Sequence, residues 1–231
     1  VKFIKEKTNA TVLHNPRAEA DDLIARWIDK HPDQKHVILS TDKDLNQLVN
    51  QKVKQYNGVT EQTITHEGWF DKKGNPVVDK KTKEAKSAPD VEWILFEKSM
   101  RSDPSDNIFS AYPGVRTKGT KNKIGLREAF EDRNAKGYTW NNLMLSKWLD
   151  ADGKEHRVLD DYERNRLLVD LHAQPDAIIQ ELDQTIEQAK AENKNISQVG
   201  IRFMKFCGKY DLKRISEQAQ LYVEPFNARL S

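Results

Sequence analysis

Acidic side chains of this chain gather in three short segments, and each segment closes a structural element. The segments are residues 17–22 (RAEADD), 40–44 (STDKD) and 102–107 (SDPSDN). If the fold brings so many carboxylates together, they cannot all stay ionised unless cations lie beside them. The placement of these acids therefore constrains both the fold and the chemistry of any site that they form.

Length and composition set the outer limits. The chain has 231 residues, enough for one large or two small domains. Its formal net charge is only +2, so any binding of nucleic acid must depend on local basic patches. The single cysteine, Cys207, lies in an apolar stretch and is predicted to be buried. No segment resembles a signal peptide or a membrane span, so we expect no membrane contact and a reducing, cytoplasmic location.

The N-terminal part has the pattern of an α/β domain. Residues 36–40 (HVILS) form a nearly continuous apolar run, typical of a strand buried on both faces of a parallel sheet. Residues 11–14 and 53–56 predict further strands. Helices are predicted at 19–31 and 44–50, and the alternation of strands and helices favours α and β layers.

The pattern changes after residue 60. Apolar residues on both sides of the turn 72–76 predict a β-hairpin, and 80–86 reads as a charged, exposed linker. Asp90 is the predicted N-cap of a helix that ends at Met100. Most of the remaining chain is predicted to be helical, with helices at 123–133, 140–149, 160–172, 175–193 and 196–220. A boundary near residue 88 separates domain 1–88 from domain 89–231.

The first two acidic segments each have a structural and a chemical interpretation. Glu19, Asp21 and Asp22 lie at a helix start, where acids commonly cap free N–H groups. Asp42 and Asp44 directly follow the strand at 36–40, and ligands of open parallel sheets bind beyond the carboxyl ends of strands. One of these two aspartates could be only an N-cap, but both being caps is disfavoured.

The third segment adds Asp103 and Asp106, which could equally form an ordinary turn and a helix start. Taken together, the acids make an all-oxygen ligand set that suits Mg²⁺ or Mn²⁺ and disfavours zinc. Their number indicates two ions, which can activate a water and stabilise the leaving oxygen of a phosphodiester. His14 is interpreted as a packed or solvent-facing histidine and not as a ligand.

A basic loop at residues 112–127 (YPGVRTKGTKNKIGLR) follows the third acidic segment. It carries five cations and no acid, and it leads into a predicted helix N-terminus, which favours phosphate. A solvated surface loop is the alternative, but the mixture of glycine and lysine favours binding of the phosphate backbone without base specificity. The candidate contacts are Arg116, Thr117, Lys118, Gly119, Thr120, Lys121, Lys123 and Arg127.

These motifs resemble those of the bacteriophage 5′→3′ exonuclease and flap endonuclease family, which includes phage RNase H. The resemblance rests on the order and spacing of residues 19–25 (EADDLIA), 40–44, 102–107 and 112–125. Ser102 stands where the family usually has glycine. The resemblance implies an α/β, PIN-like 5′-nuclease domain with a parallel sheet, joined to a helical helix–three-turn–helix DNA-binding domain.

The resemblance also implies roles for individual residues. Glu19, Asp21 and Asp42 would hold the first metal, with Asp22 in or near its coordination shell. Asp44, Asp103 and Asp106 would complete the second. The cations of the basic loop would grip duplex DNA, and the family's K⁺ site in this loop would carry over as well.

The expected function is metal-dependent hydrolysis of phosphodiesters near 5′ ends of DNA or RNA–DNA during phage replication, in the host cytoplasm. The family's N-terminal strand and helical arch have no counterpart in this sequence, so we expect the active site to need a further segment or chain. Two alternatives stay open at this point: a non-catalytic DNA-binding fragment with an incomplete active site, and a PIN-type ribonuclease. Replication proteins are the expected protein partners.

Overall fold

The computed structural model describes residues 1–103, 106–120, 123–192 and 194–228. The helices are α1 (Lys2–Lys7), α2 (Ala20–Lys30), α3 (Val91–Met100), α4 (Leu126–Glu131), α5 (Tyr138–Met144), α6 (Val158–Val169), α7 (Asp176–Ala191), α8 (Val199–Lys209), α9 (Lys213–Glu217) and α10 (Ala219–Asn227). The strands are β1 (His36–Leu39), β2 (Val53–Asn57), β3 (Gln62–Thr65), β4 (Gly68–Phe70), β5 (Lys147–Leu149) and β6 (Glu155–Arg157). A 3₁₀ helix spans Asp44–Leu48.

The chain forms two compact units. One unit contains Val1–Trp27 and Pro175–Ser231, and the other contains Ile28–Gln174. These units are defined by packing, whereas the boundary at residue 88 was inferred from sequence pattern. The domains 1–88 and 89–231 therefore stay a prediction.

The unit Ile28–Gln174 contains a mixed four-stranded sheet in the order β1-β2-β3-β4. β1 and β2 are parallel, with His36 opposite Val53, while β2–β3 and β3–β4 are antiparallel. A second, two-stranded sheet joins β5 and β6. The chain is thus of mixed α/β class, as predicted, although only one strand pair of the larger sheet is parallel.

The helices of this unit pack around an aromatic core. Phe96 on α3 is almost fully buried and lies 5.3 Å, centroid to centroid, from the ring of Phe130 on α4. Trp140 on α5 and Tyr162 on α6 also contact Phe96. This core fixes the position of α3, whose C-terminal end leads into the third acidic segment.

The other unit is held by α7, α8, α10 and the N-terminal residues. Phe3 of α1 stacks on Phe206 of α8 with centroids 4.4 Å apart. The side chain of Asn9 donates to the carbonyls of Ile196 and Asn227. Cys207 is buried, as predicted from its apolar surroundings. Among the described residues, no helix combines the length and apolar character needed to cross a bilayer.

Several predicted elements are wrong. Residues 11–14 do not form a strand. The neighbouring Asn15 donates a side-chain hydrogen bond to Thr185 of α7. The predicted helix at 140–149 ends at Met144. Trp148 instead lies on β5, where its ring stacks on His156.

The prediction that β1 is buried on both faces is also wrong. Ile38 is 6% exposed, but Val37 and Leu39 are 53% and 78% exposed. β1 lies at the edge of the sheet and alternates between a covered and an open face. An apolar run alone does not distinguish such a strand from a central one.

Candidate functional site

Asp44 is positioned by the connection between β1 and the 3₁₀ helix. Oδ1 of Asp42 accepts a hydrogen bond of 2.9 Å from the backbone N–H of Asp44, two residues further on, which forms an Asx turn. Gln55 on β2 is buried, and its Nε2 donates to the carbonyls of Ser40 and Asp42 at 3.0 and 2.5 Å. The connection is therefore fixed from the neighbouring strand. The N-cap of the 3₁₀ helix is Lys43, without a side-chain cap hydrogen bond, so the prediction that Asp42 or Asp44 is an N-cap is wrong.

Asp103 and Asp106 follow the C-terminal end of α3. The helix starts as predicted, because the side chain of Asp90 accepts from the N–H of Trp93. After the helix, Asp103 and Ile108 exchange two backbone hydrogen bonds of 2.8 and 2.9 Å. These bonds close the loop and hold Asp103 and Asp106 at one end of the helix.

A buried carboxamide supports this loop from α6. Asn165 is 1% exposed. Its Nδ2 donates to the carbonyl of Ser99 at 2.9 Å and to that of Phe109 at 2.7 Å. One side chain thus ties the end of α3 to the returning strand of the loop.

Three acids from the second and third segments meet. Carboxylate oxygens of Asp44, Asp103 and Asp106 all lie within 4.8 Å of one another. We call these residues the acidic triad. Lys98 of α3 reaches the same place: its Nζ lies 2.5 Å from Asp44 Oδ2, 2.9 Å from Asp106 Oδ2 and 3.3 Å from Asp103 Oδ2.

The Lys98 ammonium is strongly held by these carboxylates. Its side chain is 15% exposed. Burial by itself lowers the pKa of Lys98, but the hydrogen bonds to Asp44 and Asp106 outweigh it and raise the pKa above the ordinary value. Lys98 is therefore a cation at neutral pH and compensates part of the charge of the acidic triad.

The donor set of the acidic triad suits a hard divalent cation. The triad offers carboxylate oxygens alone, which Mg²⁺ and Mn²⁺ prefer and which zinc sites seldom use exclusively. The negative charge that Lys98 leaves uncompensated also favours a further cation. Among the described residues, this is the group of acids whose ligand atoms converge, and Asp42 is exposed and outside it.

The acids of the first segment lie in the other compact unit, at the start of α2. Glu19 is exposed, and Asp21 and Asp22 are half-buried. Oδ2 of Asp22 accepts a hydrogen bond of 2.9 Å from the backbone N–H of Glu19, which is the capping role expected of acids at a helix start. The metal-binding roles of Glu19, Asp21 and Asp22 stay predictions.

The basic loop folds back onto the start of α4. The N–H groups of Leu126 and Arg127 donate to the carbonyls of Arg116 and Thr117 at 2.9 Å. The carboxylate of Glu128 accepts hydrogen bonds of 3.0–3.1 Å from the N–H groups of Gly119 and Gly125. Glu128 thus closes the loop and occupies the N–H groups of Gly119 and Gly125. The sequence predicts phosphate contacts for this loop, including Gly119.

Two close approaches require the glycines at these positions. A Cβ on Gly119 would lie 2.5 Å from the carbonyl oxygen of Lys123, and a Cβ on Gly125 would lie 2.3 Å from the nitrogen of Gly119. Hydrogen bonds from the backbone N–H groups of Glu128 itself, Gly119 and Gly125 lower the pKa of the Glu128 carboxyl. The loop is therefore built around an ionised glutamate.

The candidate phosphate contacts are displayed to different extents. Five are exposed: Arg116, Thr117, Lys118, Thr120 and Lys123. Gly119 and Arg127 are half-buried, and the Arg127 guanidinium lies 3.6 Å from the ring centroid of Trp93. Lys121 lies outside the described residues.

Sequence reasoning missed four residues that shape the site: Lys98, Arg101, Glu128 and Asn165. Arg101 Nη2 donates to Thr117 Oγ1 at 2.6 Å, which connects the end of α3 with the basic loop. Lys98 and Arg101 read as ordinary polar positions of a helix end, and only their spacing before Asp103 could have drawn attention to them. Asn165 carries no sequence signal, because its partners are backbone carbonyls distant in the chain.

Comparison with known proteins bears on the N-terminal part. Residues 1–75 match the family described as 5′-3′ exonuclease, N-terminal resolvase-like domain. This match confirms the resemblance to 5′→3′ exonucleases over that segment.

Two solved structures show a weaker similarity. One is a lysine-to-alanine mutant of T5 5′-exonuclease, 19% identical, with a TM-score of 0.43 over 74% of this chain and 66% of that chain. The other is the T5 D15 protein co-crystallised with metal ions, 20% identical, with a TM-score of 0.42 over 74% of this chain and 60% of that chain. The chain spans less than two thirds of either.

Proposed function

We propose, from the match of residues 1–75 to the N-terminal domain of 5′-3′ exonucleases, that this chain is a metal-dependent 5′→3′ exonuclease or flap endonuclease. Its substrates would be phosphodiesters near the 5′ ends of DNA or RNA–DNA, such as flaps and primers in phage replication. The observation that supports this proposal best is the convergence of Asp44, Asp103 and Asp106, because two separate sequence motifs contribute to one cluster.

The proposed cofactor is Mg²⁺ or Mn²⁺. Asp44, Asp103 and Asp106 would hold one ion, and their roles are those of ligands and not of covalent nucleophiles. When bound, such ions activate water and stabilise the leaving oxygen of a phosphodiester. The other ion of the expected pair would have Glu19, Asp21 and Asp42 as ligands, with Asp22 in or near its coordination shell. This ion rests on the sequence motifs alone.

The basic loop would bind the substrate. Arg116, Lys118 and Lys123 are exposed and can contact successive phosphates without reading bases. The hydrogen bond from Arg101 to Thr117 connects this loop to the end of α3, so a bound duplex would be placed relative to the acidic triad. The proposal also includes the helix–three-turn–helix assignment, the K⁺ site and the replication partners.

A cleavage assay with a matched pair of variants tests the proposal. The chain is incubated with end-labelled 5′-flap DNA in Mg²⁺ or Mn²⁺, and with EDTA as the blank. We expect cleavage by the wild type and by Asp152→Asn, an exposed control in the β5–β6 turn, and none by Asp103→Asn. Duplex binding should be retained by both variants, since the loop is unchanged.

Two outcomes would contradict the proposal. If no cleavage occurs while duplex binding persists and weakens with salt, the chain is a DNA-binding protein without a competent metal centre. If single-stranded RNA is cleaved and flap DNA is not, the chain is a PIN-type ribonuclease.

A further inference from the structure

The position of the Lys98 ammonium among three carboxylates has a consequence for metal binding. Its Nζ lies between 2.5 and 3.3 Å from an oxygen of each member of the acidic triad. Such contacts are charge-assisted hydrogen bonds and ion pairs, which are stronger than neutral ones. The triad is therefore already engaged by a cation that belongs to the chain.

A divalent ion would compete with Lys98 for the same carboxylates. Mg²⁺ binds its oxygens at about 2.0–2.1 Å, so two oxygens of one ion lie at most about 4.2 Å apart. The oxygens of the triad spread over as much as 4.8 Å, so a slight closure brings them to this spacing. Because Nζ contacts the same three carboxylates, it and a bound ion would lie close together and repel.

Charge keeps the triad together in the absence of a metal. Three carboxylates at this spacing repel one another, and one ammonium neutralises one of their charges. The long, unbranched side chain of Lys98 can hold that ammonium in place or withdraw it, because lysine has four carbons between backbone and charge. Lys98 can therefore act as the counterion of the acidic triad until a metal ion binds there.

We propose that Lys98 is a positioning residue that occupies the acidic triad as an internal cation and is displaced when a divalent ion binds. This inference rests on the proposed function, since it assumes that the triad is a metal site. It adds that metal affinity is limited by the chain's own ammonium. It also implies that the carboxylates are held near their binding arrangement before the metal enters.

Metal binding by a lysine variant is the direct test. Mn²⁺ is titrated into the full chain and followed by electron paramagnetic resonance of free Mn²⁺. We expect Lys98→Met to bind Mn²⁺ about tenfold more tightly than the wild type, because the competitor is gone. Lys147→Met serves as the matched control, because it removes an exposed ammonium paired with Glu155 and should leave the affinity unchanged.

Thermal unfolding gives a second readout. Without metal, Lys98→Met should melt at a lower temperature than the wild type, because the carboxylates lose their counterion. Saturating Mn²⁺ should raise the melting temperature of this variant more than that of the wild type. Equal shifts in the two proteins would contradict the proposal.

A measurement on the wild type covers the case in which Lys98→Met does not fold. An amine-reactive ester labels lysines with and without Mn²⁺, and peptide mass spectrometry reports each site. Labelling of Lys98 should rise several-fold with Mn²⁺, while that of Lys147 stays constant. Unchanged labelling of Lys98 at saturating Mn²⁺ would overturn the inference.

The two proposals fail in different ways. If neither the wild type nor Lys98→Met binds Mn²⁺, the acidic triad is not a metal site and both proposals fall. If the wild type binds Mn²⁺ and loses it with Asp103→Asn, the metal site stands. Equal or weaker binding by Lys98→Met would then overturn only the role of Lys98.

Discussion

The carboxamide of Asn165 shows how one buried residue can support a site that it does not enter. It donates to the carbonyls of Ser99 and Phe109, on the two sides of the loop that carries Asp103 and Asp106. Buried carbonyls that lose their donor retain the cost of desolvation. The geometry of the acidic triad therefore depends on a side chain in α6.

Replacement of Asn165 should be costly for stability. We expect Asn165→Ala to lower the free energy of unfolding by roughly 1–3 kcal/mol, because two carbonyls lose their donor. Asn142→Ala, at an exposed position, should change it by less than about 0.5 kcal/mol. Chemical denaturation followed by circular dichroism measures both, and equal stability of the two variants would rule out the supporting role.

At Asp42, the hydrogen bond of the turn and metal binding can be tested separately. Its Oδ1 accepts from the N–H of Asp44, and asparagine keeps such an acceptor. If Asp42 is also a metal ligand, Asp42→Asn should abolish cleavage and leave the melting temperature and duplex affinity nearly unchanged. Asp42→Ala should in addition lower the melting temperature. Full cleavage by Asp42→Asn would refute the ligand role predicted from the sequence.

At the scale of elements, the basic loop depends on an acid. Glu128 accepts from the N–H groups of Gly119 and Gly125, and its carboxyl has a lowered pKa. The pKa of Glu128 is lower in the folded state than in the unfolded state. Ionised Glu128 therefore stabilises the loop above its unfolded-state pKa, and this stabilisation is lost as the pH falls through its folded-state pKa. The loop should therefore open in acid before the aromatic core does.

The amides of Gly119 and Gly125 can report this opening. In the wild type their hydrogen exchange should become less protected as the pH falls below the ordinary glutamate pKa of about 4.3. In Glu128→Ala the protection should be low already at neutral pH, and duplex affinity should fall. Glu131→Ala, at an exposed position of the same helix, should behave as the wild type does. Full protection in Glu128→Ala would contradict the closure by Glu128.

Elements with strong local signals were predicted well from the sequence. The N-cap Asp90, the helix that follows it and the strands near 36–40 and 53–56 agree with the structure. Errors occurred where a distant contact decided the outcome. Trp148 belongs to β5 because its indole donates to the carbonyl of Ala111, 37 residues away, and no helical periodicity encodes this bond.

The same distinction holds for the candidate site. Asp44, Asp103 and Asp106 could be selected in advance, because short acidic motifs at the ends of elements have a chemical meaning. Lys98 could not, because its role appears only when the end of α3 lies beside the connection after β1. The separation of two residues in the sequence does not predict which lysine or arginine will form an ion pair with a given carboxylate in the folded chain.

For the molecule as a whole, the net charge is near zero, so DNA binding depends on where the cationic side chains lie. The formal net charge is +2, so the overall field attracts DNA weakly. Binding must come from clusters such as the basic loop. The salt dependence of affinity then counts local phosphate contacts and not the total charge.

Removal of two loop cations should change that salt dependence. For Lys118→Ala/Lys123→Ala, the slope of log affinity against log salt should be smaller in magnitude by about 1.8, since each phosphate contact contributes about 0.9. Lys80→Ala/Lys81→Ala removes two exposed lysines outside the loop and should keep the slope. Fluorescence anisotropy with a labelled duplex at several salt concentrations measures it. Equal slopes for both double variants would contradict the loop assignment.

The edge strand β1 has a practical consequence for anyone who concentrates this protein. Among the described residues, β1 pairs with β2 alone, and Val37 and Leu39 remain 53% and 78% exposed. Free amide and carbonyl groups beside apolar side chains offer a template onto which another molecule can add a strand. We expect self-association through this edge at high protein concentration, and Val37→Lys should raise the solubility.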